Sequence, residues 1–174
     1  MPHNRQILRL NVGFLINTAV GTSRDFYLDA PELRWDEPEP SFRITDVTGN
    51  ARVTRTAQGL LVQVKLQASY EMECVRCLTT ITVPLSTDFT ELYAFKRDSI
   101  TESGLLLPEN AHIDLAPLVR EYMLLEIPIS PVCREDCKGL CPVCGENLNE
   151  NPHVHEDEPI DPRLEKLKEL RKKD

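Results

Sequence analysis

Three absences bound this chain before any motif is read. No apolar run approaches the roughly 20 residues needed to cross a bilayer, and the opening Met1-Pro2-His3-Asn4-Arg5 lacks the basic-then-apolar order of a secretory signal. A cytoplasmic location is the expectation, and there cysteines serve as metal ligands or catalytic groups more often than as disulfides. Net positive charge is missing too. At −8, the chain as a whole does not offer the basic surface through which sequence-independent nucleic-acid binders neutralise phosphate. Catalytic signatures are the third absence. There is no G-x-x-x-x-G-K-S/T, G-x-G-x-x-G, G-x-S-x-G or H-E-x-x-H, no internal repeat, and His112 beside Asp114 reads as a loop residue. No enzyme activity is expected.

What the chain does have is six cysteines in short pairs. Cys74-Val75-Arg76-Cys77 is one C-x-x-C; Cys133, Cys137, Cys141 and Cys144 follow more than fifty residues later. Each pair offers two sulfurs from one tight turn, so a tetrahedral thiolate site can join two distant segments. In Cys141-Pro142-Val143-Cys144-Gly145, Pro142 fixes φ after the first ligand and Gly145 lets the backbone curl round a metal. All six cysteines are candidate ligands. Six exceed one four-ligand site and fall short of two, so one structural zinc ion is expected. Cys74 and Cys77 belong to any site that crosses the chain; either Cys141 and Cys144 or Cys133 and Cys137 complete it. A site closed by the last four alone would be cramped. His153 and His155 are substitute ligands, expected to face solvent in an acidic linker. A closed four-thiolate zinc has no open position for water and stabilises rather than catalyses. Replacing Cys74 by Ser should therefore lower stability, because structural zinc binding is folding free energy.

The hydropathy pattern predicts an α+β fold. Leu8, Leu10, Val12 and Phe14 alternate with polar or small residues and predict a strand. Residues 30–41 hold three prolines and read as irregular connection, with Trp35 anchoring it on the core. From about 43 to 93 an antiparallel β-meander is expected. Leu60, Val62, Val64, Leu66 and Ala68 face one way, while Gln63, Lys65, Gln67 and Ser69 face the other. Ile81, Val83 and Leu85 mark the next strand, which Pro84 either ends or confines to an edge. Cys74 and Cys77 then lie in a hairpin loop. Residues 96–111 lack period and predict a long mobile loop. Leu115, Leu118, Val119, Tyr122 and Leu125 predict one packed helix over about 114–126, with Asp114 as its N-cap and Pro117 in the first turn. Residues 1–150 are expected to form a single domain that includes the Cys knuckle. Residues 151–174 are expected to form an acidic linker and a basic C-terminal helical tail opened by Asp161-Pro162.

At this level the residues resemble a family. Glu73-Cys74-Val75-Arg76-Cys77-Leu78 is similar to the C-x-R-C-L core of the bacterial YceD family. Three further segments agree in order and spacing: Asp114-Leu115 through Glu126-Ile127-Pro128, Cys133 through Asn149, and Asp161-Pro162-Arg163-Leu164. The C-K-G-L-C-P-x-C-G-x-N-L-N segment beside D-P-R-L is the specific part, and the likeness covers roughly the last two-thirds of the chain. It implies a small cytoplasmic ribosome biogenesis factor that promotes accumulation or processing of large-subunit rRNA, without enzyme activity. Its partner would be precursor rRNA or a ribosomal protein. For a direct RNA contact the candidates are Arg163, Lys166, Lys168, Arg171, Lys172 and Lys173 of the basic tail, with Arg76 on the knuckle. Two other readings compete: a thiol-redox or metal-sensing protein using Cys74 and Cys77, and an RNA-cleaving enzyme. The redox reading requires a low thiol pKa, usually made at a helix N-terminus, whereas strand patterns flank this pair. The nuclease reading lacks clustered carboxylates or a His pair.

Overall fold

A computed structural model describes residues 5–37 and 41–155. Its largest element is an antiparallel four-stranded meander of β2 (Ser23–Trp35), β3 (Phe42–Arg55), β4 (Gly59–Glu73) and β5 (Thr80–Ala94), in the order β2-β3-β4-β5. A two-stranded ribbon pairs β1 (Arg9–Asn11) with β6 (His112–Asp114), and the helix α2 (Ala116–Leu125) follows directly. The short helical turn α1 (Gly13–Ile16) lies between β1 and β2. The class is α+β, as the patterns predict. The C-terminal helical tail expected from Asp161 onward lies outside the described residues.

The meander forms because its strands alternate. In β4, Leu60, Val62, Val64, Leu66 and Ala68 are buried while Gln63, Lys65 and Gln67 are exposed, so one face meets the core and the other water. The helix lays Ala116, Val119 and Met123 on that core. Phe89 of β5 and Tyr122 of α2 stack with ring centroids 4.3 Å apart, and the Tyr122 hydroxyl donates to Glu91 Oε1 at 2.7 Å. The N-cap is Leu115 rather than the expected Asp114, and it has no side-chain cap; Asp114 ends β6, and its carboxylate accepts the N–H of Ala116 at 2.9 Å in a local turn. Pro84 does sit in an edge strand, where a missing N–H costs the sheet nothing.

Three further expectations change. Residues 30–35 are not connection: β2 runs through Pro31 to Trp35. Pro31 falls on an edge strand opposite a bulge, where the register skips between Thr45 and Thr48 and Asp46 takes φ +52°. Trp35 does anchor on the core. It is buried, and its indole N–H donates to the carbonyl of Ala116 at 3.1 Å. The strand expected over residues 8–14 shortens to Arg9–Asn11. The Asn11 side chain accepts the N–H of Gly13 at 3.1 Å, and that local turn diverts the chain into α1. The loop at 96–111 is pinned rather than free, because Ala94 donates to Leu105 and accepts from Leu107, forming a parallel bridge at Leu106.

Candidate metal centres

The β4–β5 hairpin ends in a knuckle. Cys74 and Cys77 follow β4, the Cys74 N–H donates to the carbonyl of Thr79, and the Leu78 N–H donates back to the carbonyl of Cys74, both at 2.9 Å. Leu78 takes φ +58° to close this turn. The same turn recurs in the C-terminal segment: the Gly145 N–H donates to the carbonyl of Cys141 at 2.9 Å, with Gly145 at φ +76°. Each C-x-x-C is thus followed by a residue of positive φ whose N–H returns to the first cysteine. Glycine takes that conformation freely in the second knuckle, whereas Leu78 bears it in the first.

Segment 131–149 is laid across the first knuckle by backbone hydrogen bonds. Val75 donates to the carbonyl of Pro131 at 2.9 Å, and Leu140 donates to that of Arg76 at 3.0 Å. Gly139 makes this approach feasible. It has φ +77°, and a Cβ there would stand 3.0 Å from the Arg76 carbonyl oxygen. The result is a group of four sulfurs, those of Cys74, Cys77, Cys133 and Cys137, all within 4.8 Å of one another. Cys74 and Cys137 are 3.9 Å apart, and Cys77 and Cys133 are 3.6 Å apart. A regular tetrahedron with Zn–S near 2.3 Å places its sulfurs about 3.8 Å apart. A disulfide would require about 2.05 Å. The spacing fits a four-thiolate metal site, and Cys74, Cys77 and Cys137 are buried with Leu140 packed on them.

The surroundings favour thiolate at two of these positions. Burial opposes ionisation of Cys74, but the backbone N–H groups of Cys77, Arg76 and Cys133 outweigh it and lower the thiol to about 6. Cys137 is also lowered, since the Asn149 side-chain amide and the Gly139 N–H overcome its burial. Desolvation of its sulfur among the packed thiols pushes the otherwise exposed Cys133 up to about 12, reinforced by hydrogen bonds with Cys137, Cys77 and Cys74. A metal ion in their midst would stabilise all four as thiolates.

A second group forms beside the first. One ligand atom each from Cys141, Cys144, His153 and His155 lies within 4.8 Å of the others. Cys141 is buried, His153 half-buried, and Cys144 and His155 exposed. Cys141 is held down to about 6, chiefly by the Cys144 backbone N–H and then by that of Val143, against its burial. The expectation of one site therefore gives way to two groups. Cys133 and Cys137, rather than Cys141 and Cys144, join the hairpin pair, and His153 and His155 stand against the remaining two cysteines.

One side chain braces the first group from the loop that follows it. Asn149 donates to Cys137 Sγ at 3.4 Å, while its Oδ1 accepts the Lys138 N–H at 2.9 Å and Arg134 Nη2 at 2.8 Å. Asn147 orients it in turn, its Oδ1 accepting from Asn149 Nδ2 at 2.8 Å. The roles of Asn147 and Asn149 were not read from the sequence, although the N-L-N spacing was the available signal. Arg76 is exposed on the knuckle, and its Nη1 donates to the carbonyls of Glu135 and Cys137 at 3.2 and 3.1 Å. Arg163, Lys166, Lys168, Arg171, Lys172 and Lys173 lie outside the described residues.

The family model for the large ribosomal RNA subunit accumulation protein YceD matches residues 62–171, a span that takes in the hairpin, α2 and both cysteine groups. The chain belongs to the YceD family. An uncharacterised protein of Mycobacterium tuberculosis is 40% identical over 126 residues, covering 68% of this chain and 59% of the relative. The chain thus spans under two-thirds of the length of that relative. The Bacillus subtilis protein YlbN is 28% identical over 134 residues, 76% of this chain and 78% of its own length. A chloroplastic YceD homologue of Arabidopsis thaliana, named as a large ribosomal RNA subunit accumulation protein, is 45% identical over 42 residues, 24% of this chain and 13% of the homologue. No solved structure matches. Among the described residues of this YceD member, no helix is long and apolar enough to cross a membrane.

Proposed function

We propose that this chain is a non-enzymatic, cytoplasmic ribosome biogenesis factor that promotes accumulation of large-subunit rRNA, with structural zinc held by Cys74, Cys77, Cys133 and Cys137. The observation that carries the reading is the family match across the whole hairpin–helix–cysteine unit. The thiolate geometry supports the metal: sulfur spacings of 3.6 and 3.9 Å suit zinc, and four protein ligands leave it no open position for a substrate. Zinc would fasten segment 131–137 to the hairpin and so fix the surface that Arg76 and its neighbours present.

The partner is precursor rRNA or a ribosomal protein. Ribosomal RNA is polyanionic, so direct contact by a chain of net charge −8 would rest on local cations, and the concentrated set is Arg163, Lys166, Lys168, Arg171, Lys172 and Lys173. Sedimentation of the tagged protein through sucrose at low and moderate salt tests this. The proposal predicts co-migration with immature large-subunit particles that salt releases and that reversal of these six residues to Glu abolishes. Retained co-migration after reversal would remove the tail from the contact. Sedimentation only at the top under both conditions would contradict stable particle binding.

A further inference from the structure

We propose that Cys141, Cys144, His153 and His155 form a second zinc site, separate from the four-thiolate site and chemically unlike it. The backbone carries the first part of the argument. The Cys141–Gly145 turn repeats the hydrogen bond and positive φ of the Cys74–Leu78 turn, so the chain builds the same ligand-presenting knuckle twice. A turn of this kind aims two sulfurs at one point. In the first knuckle that point is completed by two sulfurs, and in the second by two imidazoles.

The histidines carry the second part. His153 Nδ1 lies 2.8 Å from the carbonyl oxygen of Asn151. A carbonyl only accepts, so Nδ1 holds a proton there, and Nε2 is the nitrogen left to face the sulfurs and to bind a metal. Nε2 lies 3.1 Å from Cys144 Sγ. This is the orientation a backbone carbonyl imposes on a metal-binding histidine. His155 meets His153 edge-on, with ring centroids 4.8 Å apart. The two stand closer in sequence than the usual zinc-finger pair. From Pro152 to His155 the chain is neither helix nor strand, and it nonetheless brings one ring nitrogen of each histidine within 4.8 Å of the other and of both sulfurs. With Zn–S near 2.3 Å and Zn–N near 2.05 Å, a tetrahedral site sets sulfur and nitrogen about 3.6 Å apart. The 3.1 Å contact therefore needs to open by about half an ångström, a shift that exposed Cys144 can make. Two thiolates with two imidazoles suit zinc among the common divalent ions.

The second site differs from the first in access. Three ligands of the four-thiolate site are buried, whereas Cys144 and His155 of the second site are exposed. It is the more exchangeable of the two. It also clips residues 146–155 onto the knuckle.

Zinc content of the reduced, full-length protein tests the proposal, with the His153→Ala/His155→Ala double variant beside it. Wild type should retain two equivalents after desalting and release one ahead of the other to a competing chelator. The double variant should hold one equivalent, lose the early release, and keep its far-UV dichroism. Cobalt(II) loading gives an independent readout: the variant should lose the bands of a mixed sulfur–nitrogen site and keep those of a four-sulfur site. One equivalent in wild type, or two retained in the double variant, would overturn the second site while leaving the first standing.

Discussion

At the scale of single residues, the knuckle depends on backbone conformations that side chains rarely permit. Gly139 holds φ +77° with the Arg76 carbonyl 3.0 Å from where a Cβ would sit. Gly139→Ala should cost about 1–2 kcal/mol, the usual penalty for forcing an L-residue into the left-handed region, and should weaken zinc binding at the four-thiolate site. Competition with a chromophoric chelator measures the latter. Asn149→Ala removes the amide on Cys137 and frees the Lys138 N–H. Zinc affinity at that site should fall by about 10–100-fold, as when groups that orient metal ligands are lost. Unchanged affinity would mean that Asn149 merely decorates the loop. Away from the metal, Tyr93 is pushed up to about 12, first by burial and then by the negative charges of Asp114 and Glu91. The folded protein therefore holds this proton more tightly than the unfolded chain, whose tyrosine titrates near 10. The contribution is whole below pH 10 and is lost as pH rises through 12. Denaturation midpoints should fall across that window in wild type and fall less steeply in Tyr93→Phe.

Among the elements, the contact between β5 and α2 concentrates in one aromatic pair. Tyr122→Phe keeps the stack on Phe89 and deletes the donation to Glu91. It should cost about 1 kcal/mol, read as a shifted denaturant midpoint with unchanged slope. The meander and α2 were legible because period-two and 3.6-period patterns follow from which faces are buried. β2 was not legible. Pro31 and the two prolines beyond the strand read as punctuation, and only the sheet order shows that Pro31 sits at an edge opposite a bulge, where the missing N–H does no harm. The site divides in the same way. The spacing marks Cys74 and Cys77 as candidate ligands, but which later pair joins them depends on the backbone hydrogen bonds from Val75 and Leu140 that lay segment 131–140 across the hairpin. No local pattern encodes such a long-range pairing. His153 and His155 were discounted on the acidity of their surroundings, although the Asn151 carbonyl that orients His153 is only two residues away.

At the scale of the molecule, the described residues form two cores of different kinds. The sheet, the ribbon and α2 share one apolar core, whereas the knuckle has only cysteines and Leu140 at its centre. Chelation should therefore act locally. Amides of Leu140, Cys141 and Leu148 should exchange rapidly once zinc is removed, while those of Val62 and Val64 in β4 stay protected. Cys74→Ser should reproduce that pattern, so the stability it removes belongs to the knuckle before it belongs to the sheet. The central claim is that this metal-fastened knuckle serves the accumulation of large-subunit rRNA. The direct test is the ratio of large- to small-subunit rRNA in cells depleted of the protein and complemented with wild type or with Cys74→Ser/Cys77→Ser at matched protein levels. The account predicts a ratio that falls on depletion, recovers with wild type and stays low with the double variant. A ratio that does not move on depletion would contradict it.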